Sequence, residues 1–329
     1  MLDSNTVGTI EEIAGTFRLS AVLFAATDLG LFDALPEEGA TADDLARTLG
    51  AVRLPLNLLL NTLVGMGILI KPAERFLLTS PFAAVLRKGP DSLQERILAF
   101  QAQTAHWMGL AALVRGRPTV GPYYEEMIHT AGAGQYLAGV ARANGHYPEL
   151  MLQALSRAVA DVHDVLDLGG GHGAFARLVV ERRPKARVTI MDLEHSLAYG
   201  RQLSASHPDR ERLSFVVGDA RNLELDGRFD FVMINDLLHY MDGEEKRQVL
   251  SRGLKALRPG GLLAVTKLRL DDEITPGWTT LFSLRMFINT HKSWLETDRE
   301  TVRLLGLAGG RELDLTHLDD YKSLITARR

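Results

Sequence analysis

At 329 residues, with 46% hydrophobic and 24% charged side chains, the chain is an ordinary globular sequence long enough for two cores, which excludes disorder, collagen-like repeats and a coiled-coil rod. Its 37 Lys and Arg against 41 Asp and Glu leave a formal charge of −4, so overall charge gives no drive toward nucleic acid or an anionic membrane. There is no cysteine, which removes disulfides, thiolate metal sites and a cysteine nucleophile; a metal would need His and carboxylate ligands.

The opening MLDSNTVGTIEEIAG lacks a basic start followed by an apolar core, so a secretory signal is not expected and a cytoplasmic location is. From residue 10 to about 35 the apolar positions recur mainly at three and four, predicting a helix with one buried face. Thr41 before Ala-Asp-Asp-Leu predicts a capped helix that Gly50 ends. A third helix is expected over about 55–66, and residues 68–79 alternate as a small hairpin would. The apolar stretch 54–70 is broken by Pro55, Asn57 and Asn61 and is too short to span a bilayer, so no membrane association is expected. Three helices and a wing suggest a winged-helix-like module. A helix that contacts phosphates should be rich in Arg and Lys, whereas this third helix has Arg53 alone nearby. Residues 1–105 are therefore expected to form a dimerisation domain, with no nucleic-acid partner.

After residue 162 short apolar runs alternate with amphipathic helices. Strands are expected at 165–168, 187–191, 213–217, 229–234 and 261–268, with helices at 174–181 and 244–256; such alternation implies an α/β, doubly wound, mostly parallel sheet over 161–329. Directly after its first strand comes Gly169-Gly170-Gly171-His172-Gly173, where glycines let the backbone approach a ligand closely. Asp192 closes the second strand, where a carboxylate can accept both hydroxyls of a ribose, and Gly218-Asp219-Ala220 closes the third, offering an acceptor for an adenine amine. Each aspartate alone could equally cap its own loop; together, at the carboxyl rim of a parallel sheet, they point to a nucleotide-like cofactor.

A dinucleotide loop more usually reads G-x-G-x-x-G. The string VLDLGGGHG, with MDL at Asp192 and GDA at Asp219, instead resembles the S-adenosylmethionine-dependent methyltransferases of Rossmann-like class. By that resemblance Gly169 and Gly171 lie against the methionine moiety, Asp192 on the ribose and Asp219 at the adenine, with Asp167, Ala220 and Asn235 completing the cofactor site. With LLHYMDGEE, LRPGG and LGLAGG downstream, the likeness extends over nearly the whole chain to the small-molecule O-methyltransferases. In that family the amino-terminal half forms an intertwined homodimer, and residues 106–160 would be a helical linker contributing to the substrate pocket.

Methyl transfer from a sulfonium is an in-line displacement, so the protein positions the acceptor and takes its proton. The resemblance makes His239 the general base, a role imidazole suits. The sequence departs from the family here: Tyr240 stands where Asp is usual, and the segment that normally carries a base-orienting Glu reads His291-Lys292-Ser293-Trp294-Leu295-Glu296-Thr297, with Leu295 at the Glu position. A pair of histidines, His239 and His291, on the substrate side instead resembles the α-keto acid C-methyltransferases, in which two His hold an iron-like or zinc-like ion. Such an ion would stabilise an enolate as a Lewis acid, and Asp236 or Asp242 could complete its site. Arg285, interrupting the apolar run 281–288, is then expected either to bind the substrate carboxylate or to be a surface or acid-paired residue. The expected function is metal-assisted C-methylation of an α-keto acid by a cytoplasmic homodimer in natural-product or non-standard amino acid biosynthesis. The catalytic residues would be His239, His291 and Arg285. The alternative is O-methylation of a phenol or hydroxyl with His239 as base. Met286, Phe282, Trp107 and Trp294 are candidate pocket walls; His163, His172 and His195 are read as structural or surface residues, and Lys267, where the family often has Glu, has no assigned role.

Overall fold

A computed structural model describes residues 4–118, 120–123, 139–141, 145–222, 224–272 and 277–329, and the chain divides into two units, 1–108 and 109–329. In the first, the periodic stretch 10–35 forms three helices rather than one: α1 (Ser4–Gly15), α2 (Phe17–Asp28) and α3 (Leu31–Ala34). Gly30 takes a left-handed backbone, φ 67°, which ends one helical run and opens the next. α4 (Ala42–Leu49) has the capping box its sequence promises, the Thr41 hydroxyl accepting from the Asp44 amide (3.2 Å) while the Asp44 carboxylate accepts from the Thr41 amide (3.3 Å). α5 (Arg53–Gly65) leads to an antiparallel wing of β1 (Leu69–Ile70) and β2 (Leu77–Leu78), followed by α6 (Ser80–Leu86), α7 (Gln94–Ala102) and α8 (Thr104–Met108). Phe32, Leu60, Leu63 and Phe76 are fully buried at the centre, each contributing about 1.5–3 kcal/mol through burial.

The second unit begins with α9 (Leu110–Val114) and α10 (Tyr147–Ala154), then alternates strands and helices. They are β3 (Asp164–Leu168), α11 (Ala174–Arg182), β4 (Arg187–Asp192), α12 (Glu194–Ser204), β5 (Leu213–Val217), β6 (Phe229–Asn235), α13 (Gly243–Ala256), β7 (Leu257–Leu268), α14 (Trp278–Thr290), α15 (Asp298–Leu307), β8 (Arg311–His317) and β9 (Lys322–Arg328). The sheet order is β5-β4-β3-β6-β7-β9-β8, parallel through β7 and antiparallel at β9 and β8. Alternation along the central strands feeds two cores, Val165, Phe231 and Met233 on one face and Leu166, Val232 and Ile234 on the other, which is why these strands read as unbroken apolar runs. Strand order reverses at β3, whose neighbours are β4 and β6. The carboxyl end of β3 is therefore the switch point where sheets of this kind take ligands.

The expected architecture, an all-α winged-helix-like domain followed by a doubly wound sheet, is the one observed. β7 starts at Leu257, four residues before the expected 261, and β8 and β9 lie beyond the expected strands. Of the expected linker, residues 119, 124–138 and 142–144 lie outside the described residues. Among those described, no helix is long and apolar enough to cross a membrane.

The first helices depart from their sequence pattern in one respect: Ile13, Phe17 and Leu19 are 66%, 59% and 53% exposed instead of buried. An apolar face of this kind marks an interaction surface, and a second copy of the chain is expected to cover it. Ile13→Glu combined with Phe17→Glu should halve the mass measured by light scattering while leaving the far-ultraviolet circular dichroism unchanged; a double variant of undiminished mass would place the dimer contact elsewhere.

Candidate active site

Gly169 and Gly171 adopt left-handed backbones, φ 75° and 44°, and the turn they form is tied to β4. The Gly169 amide donates to the Met191 carbonyl (2.8 Å) and the Gly171 amide to Asp192 Oδ2 (2.8 Å). A Cβ on Gly169 would lie 2.7 Å from the Leu237 side chain, and one on Gly170 2.7 Å from the Asp167 carboxylate. On α12, a Cβ at Gly200 would meet the Gly171 carbonyl at 2.4 Å. The turn is thus bare backbone by necessity, and it borders two adjoining cavities that share Gly169, Asp192, Ser196, Leu237 and Tyr240. Asp219 and Ala220 line the first cavity; Asp167, Gly171 and Asn235 line the second. All seven residues expected around the cofactor therefore line this paired hollow.

The carboxylates differ in how they are satisfied. Asp192 accepts from two amides, those of Gly171 and Leu193 (2.8 and 2.7 Å), while burial pushes its pKa up to about 6. Asp167 is fully enclosed: Oδ1 accepts from Asn235 Nδ2 (3.3 Å), Asn235 Oδ1 in turn accepts from the Thr266 hydroxyl (2.8 Å), and among the described residues Oδ2 has no hydrogen-bond partner. Burial raises the Asp167 carboxyl to about 7. A buried acceptor left open beside a side-chain-free turn fits a ligand that brings a donor. At the other end, Arg221 grips Asp219 (2.6 Å), holding its carboxyl below the usual range, and reaches Glu245 (2.7 Å), which Lys292 also contacts (3.0 Å). Arg221, Lys292, Leu237 and Gly200 escape a reading of the sequence alone; only Arg221, two places after Asp219, carries a local hint.

β6 delivers the second group of residues. Asp236 leaves the strand in a left-handed backbone, φ 51°, unusual for a residue with a side chain, and its Oδ2 accepts from the buried Lys322 on β9. His239 follows in a 3₁₀ turn, buried, with its ring edge-on to Phe282 at 5.2 Å and 86°. Burial is the main reason its imidazole falls to about 3. Tyr240, beside it, lines both cavities. Arg285 lies with its guanidinium 4.7 Å above the Phe282 ring, and its buried Nε has no hydrogen-bond partner among the described residues. His195 lines the first cavity and His172 the second, whereas His163 is exposed.

The shared metal on His239 and His291 finds no support in the donor set. His291 is the C-cap of α14, φ 58°, its amide bonded to the Phe287 carbonyl. Asp242 accepts from the Glu244 and Glu245 amides (3.0 and 2.9 Å) as the N-cap of α13, and Asp236 serves Lys322. Among the described residues the one group of three or more metal-capable side chains that converges is Asp271, Asp298 and His317. There Lys267 already holds Asp298 (2.6 Å) and Arg269 holds Asp271 (2.9 Å), which gives Lys267 its role. Glu296 is buried against Lys246, which donates to the Trp294 carbonyl as well (2.7 Å) and sits over the Trp294 ring. Glu296, one place after Leu295, thus clamps its own loop.

Residues 165–261 match the family model of a methyltransferase domain, and residues 11–86 match that of an O-methyltransferase dimerisation domain. The chain is 28% identical to acetylserotonin O-methyltransferase of Gallus gallus, across 97% of this chain and 96% of that one. It is 26% identical to 3-hydroxy-5-methyl-1-naphthoate 3-O-methyltransferase of Streptomyces sahachiroi, across 85% and 83%. The solved structure of an O-methyltransferase family protein from Burkholderia thailandensis is similar over 100% of this chain and 99% of that one, with a TM-score of 0.84 at 26% identity. The reactions named for these relatives are transfers to oxygen, which overturns the expected C-methylation of an α-keto acid.

The raised Asp167 carboxyl makes a signed prediction. Its folded pKa, about 7, lies above the unfolded 3.8, so the ionised form costs stability above pH 7 and that cost fades as pH falls toward 4. In the ligand-free protein Asp167→Asn should raise stability at pH 8 by about 1–3 kcal/mol, and lose the advantage near pH 4. Equal melting temperatures for the two proteins across that range would refute it.

Proposed function

We propose, from the premise that this chain belongs to the S-adenosylmethionine-dependent O-methyltransferase family with a dimerisation domain, that it methylates a hydroxyl of a small aromatic acceptor with His239 as general base. The observation that carries the reading is the placement of His239, a buried imidazole packed against Tyr240, which itself lines both cavities, and edge-on to the Phe282 ring. S-adenosylmethionine, when bound, supplies an electrophilic sulfonium methyl. Asp192 would accept from its ribose hydroxyls, and the open Oδ2 of Asp167 and the bare turn at Gly169–Gly171 would take its methionine end.

The protein's own part is to hold the acceptor and receive its proton. Burial keeps the His239 ring neutral at working pH, so a ring nitrogen has a lone pair for the hydroxyl proton as the oxygen becomes nucleophilic. The Asp236 carboxylate favours the imidazolium that forms. The apolar and aromatic neighbours Leu237, Met241 and Phe282 suit a flat ring and limit water around the reacting oxygen. The dimerisation domain supports a homodimer as the working form, and an aromatic hydroxyl acceptor is in keeping with a natural-product pathway.

Replacing His239 with Asn should lower kcat on aromatic hydroxyl acceptors by about 10²–10⁴-fold while the Kd for S-adenosylhomocysteine changes less than about twofold. The acid limb of the wild-type rate profile should lie below about pH 5, well under that of a free imidazole, and exhaustive chelation should leave the rate unchanged. A His239→Asn enzyme of wild-type kcat, or a rate that chelation abolishes and added metal restores, would overturn the reading.

A further inference from the structure

Trp278, Phe282 and Arg285 follow one another on α14 at spacings of four and three, so they share one face of the helix. The Trp278 and Phe282 rings meet edge to face at 5.7 Å, and the Arg285 guanidinium lies over Phe282 with Cζ 4.7 Å from its centroid. The same Phe282 ring receives His239 on its edge at 5.2 Å. A fixed cation and the base therefore flank a single aromatic side chain, and the Arg285 charge acts on the His239 ring against its protonation.

What distinguishes Arg285 is that its charge is unanswered. Among the described residues its buried Nε has no hydrogen-bond acceptor and no carboxylate pairs with the guanidinium. Arg221, by contrast, is held by both Asp219 and Glu245, and Arg258 by Asp164 and Asp230. A desolvated guanidinium N–H without a partner is costly, and that cost is removed when a ligand brings an anion whose two oxygens match its fork. The aromatic side chains beside it offer a flat surface to the ring that carries the anion.

We propose that Arg285 selects the acceptor by binding a carboxylate on the ring that also bears the reacting hydroxyl, which makes the substrate class an aromatic hydroxy acid. The proposal rests on the O-methylation reading above. Binding of the carboxylate has a second effect: it neutralises Arg285 and so removes one of the charges that oppose imidazolium formation at His239. Substrate recognition and proton acceptance are thereby coupled through one side chain. Arg285 acts as a specificity-determining residue, and the proton goes to His239 as the methyl ether forms.

The test is calorimetric titration of the full-length protein, saturated with S-adenosylhomocysteine, with hydroxybenzoates and hydroxynaphthoates and with their carboxamides. The carboxylates should bind about 10- to 100-fold more tightly than the matching amides, the range of a charge-assisted hydrogen bond. Arg285→Gln should bring that ratio near one, and Arg285→Lys, which keeps the charge without the fork, should retain part of it. With a carboxylated acceptor, loss of the cation should move the acid limb of the rate profile to higher pH in Arg285→Gln and far less in Arg285→Lys, where a structural role would move neither. The wild-type ratio needs no variant to fold, and a ratio near one overturns the proposal, as does a Gln variant that keeps the wild-type preference. Methyl ether formation is followed in parallel. Arg285-dependent carboxylate binding without any ether product keeps Arg285 as a carboxylate site and overturns O-methylation; ether formed from neutral naphthols with no carboxylate preference keeps O-methylation and overturns the Arg285 site, and absence of both binding and product overturns both.

Discussion

The Gly171 carbonyl leaves no space beneath it for even a methyl group on Gly200, while its amide is bound by Asp192 and the neighbouring Gly169 amide by the Met191 carbonyl. β3, β4 and α12 are therefore locked together at the turn that borders both cavities. Everything at the cofactor end follows from that lock. Asp192 holds the turn with one oxygen and the Leu193 amide with the other, so the carboxylate cannot swing away. Leu237, two residues before His239, packs against Gly169 from the exit of β6. Bare backbone at this point is what brings the carboxyl ends of three strands close enough to share one hollow.

Charge performs the corresponding task around the His239 turn. Three buried lysines, Lys246, Lys267 and Lys322, are each matched to one acid, Glu296, Asp298 and Asp236. Buried pairs of this kind give little net stability, because desolvation offsets their attraction, but breaking one leaves a stranded charge. Their effect is to admit one arrangement only. Lys246 fixes the loop after α14, Lys267 seats the start of α15 against β7, and Lys322 steadies the strained Asp236 at the entrance to the His239 turn. Glu296, one place after Leu295, belongs to this scaffold, and Asp236 is the acidic influence on the His239 imidazole.

These pairings also mark how far the sequence can be read. The capping box at Thr41 and Asp44, the buried strands and the glycine turn are legible because each is set by residues a few positions apart. So is His239, whose place after the fourth strand follows from the order of elements. Lys246 and Glu296 are fifty positions apart and Lys322 and Asp236 eighty-six, and no local periodicity announces such partners. The break at Gly30 is visible only as a glycine, since apolar spacing continues across it. β8 is hidden because its side chains are exposed throughout. The two-histidine metal site gains no support for a related reason: ligation requires convergence in space, whereas His291 has a conformational task, ending a helix in the left-handed region that His tolerates better than most residues.

β9 lies between β7 and β8 although it follows both in the chain. During synthesis β7 therefore emerges more than fifty residues before the strand that will cover its outer edge, and its amides and carbonyls stand unpaired while α14, α15 and β8 are made. An open apolar strand edge invites pairing with a neighbouring nascent chain. Because Lys322 is the first residue of β9, the arrival that closes this edge also delivers the cation for Asp236. Pairing of the last strand in the chain and formation of the Lys322–Asp236 contact beside the His239 turn are thus one folding step.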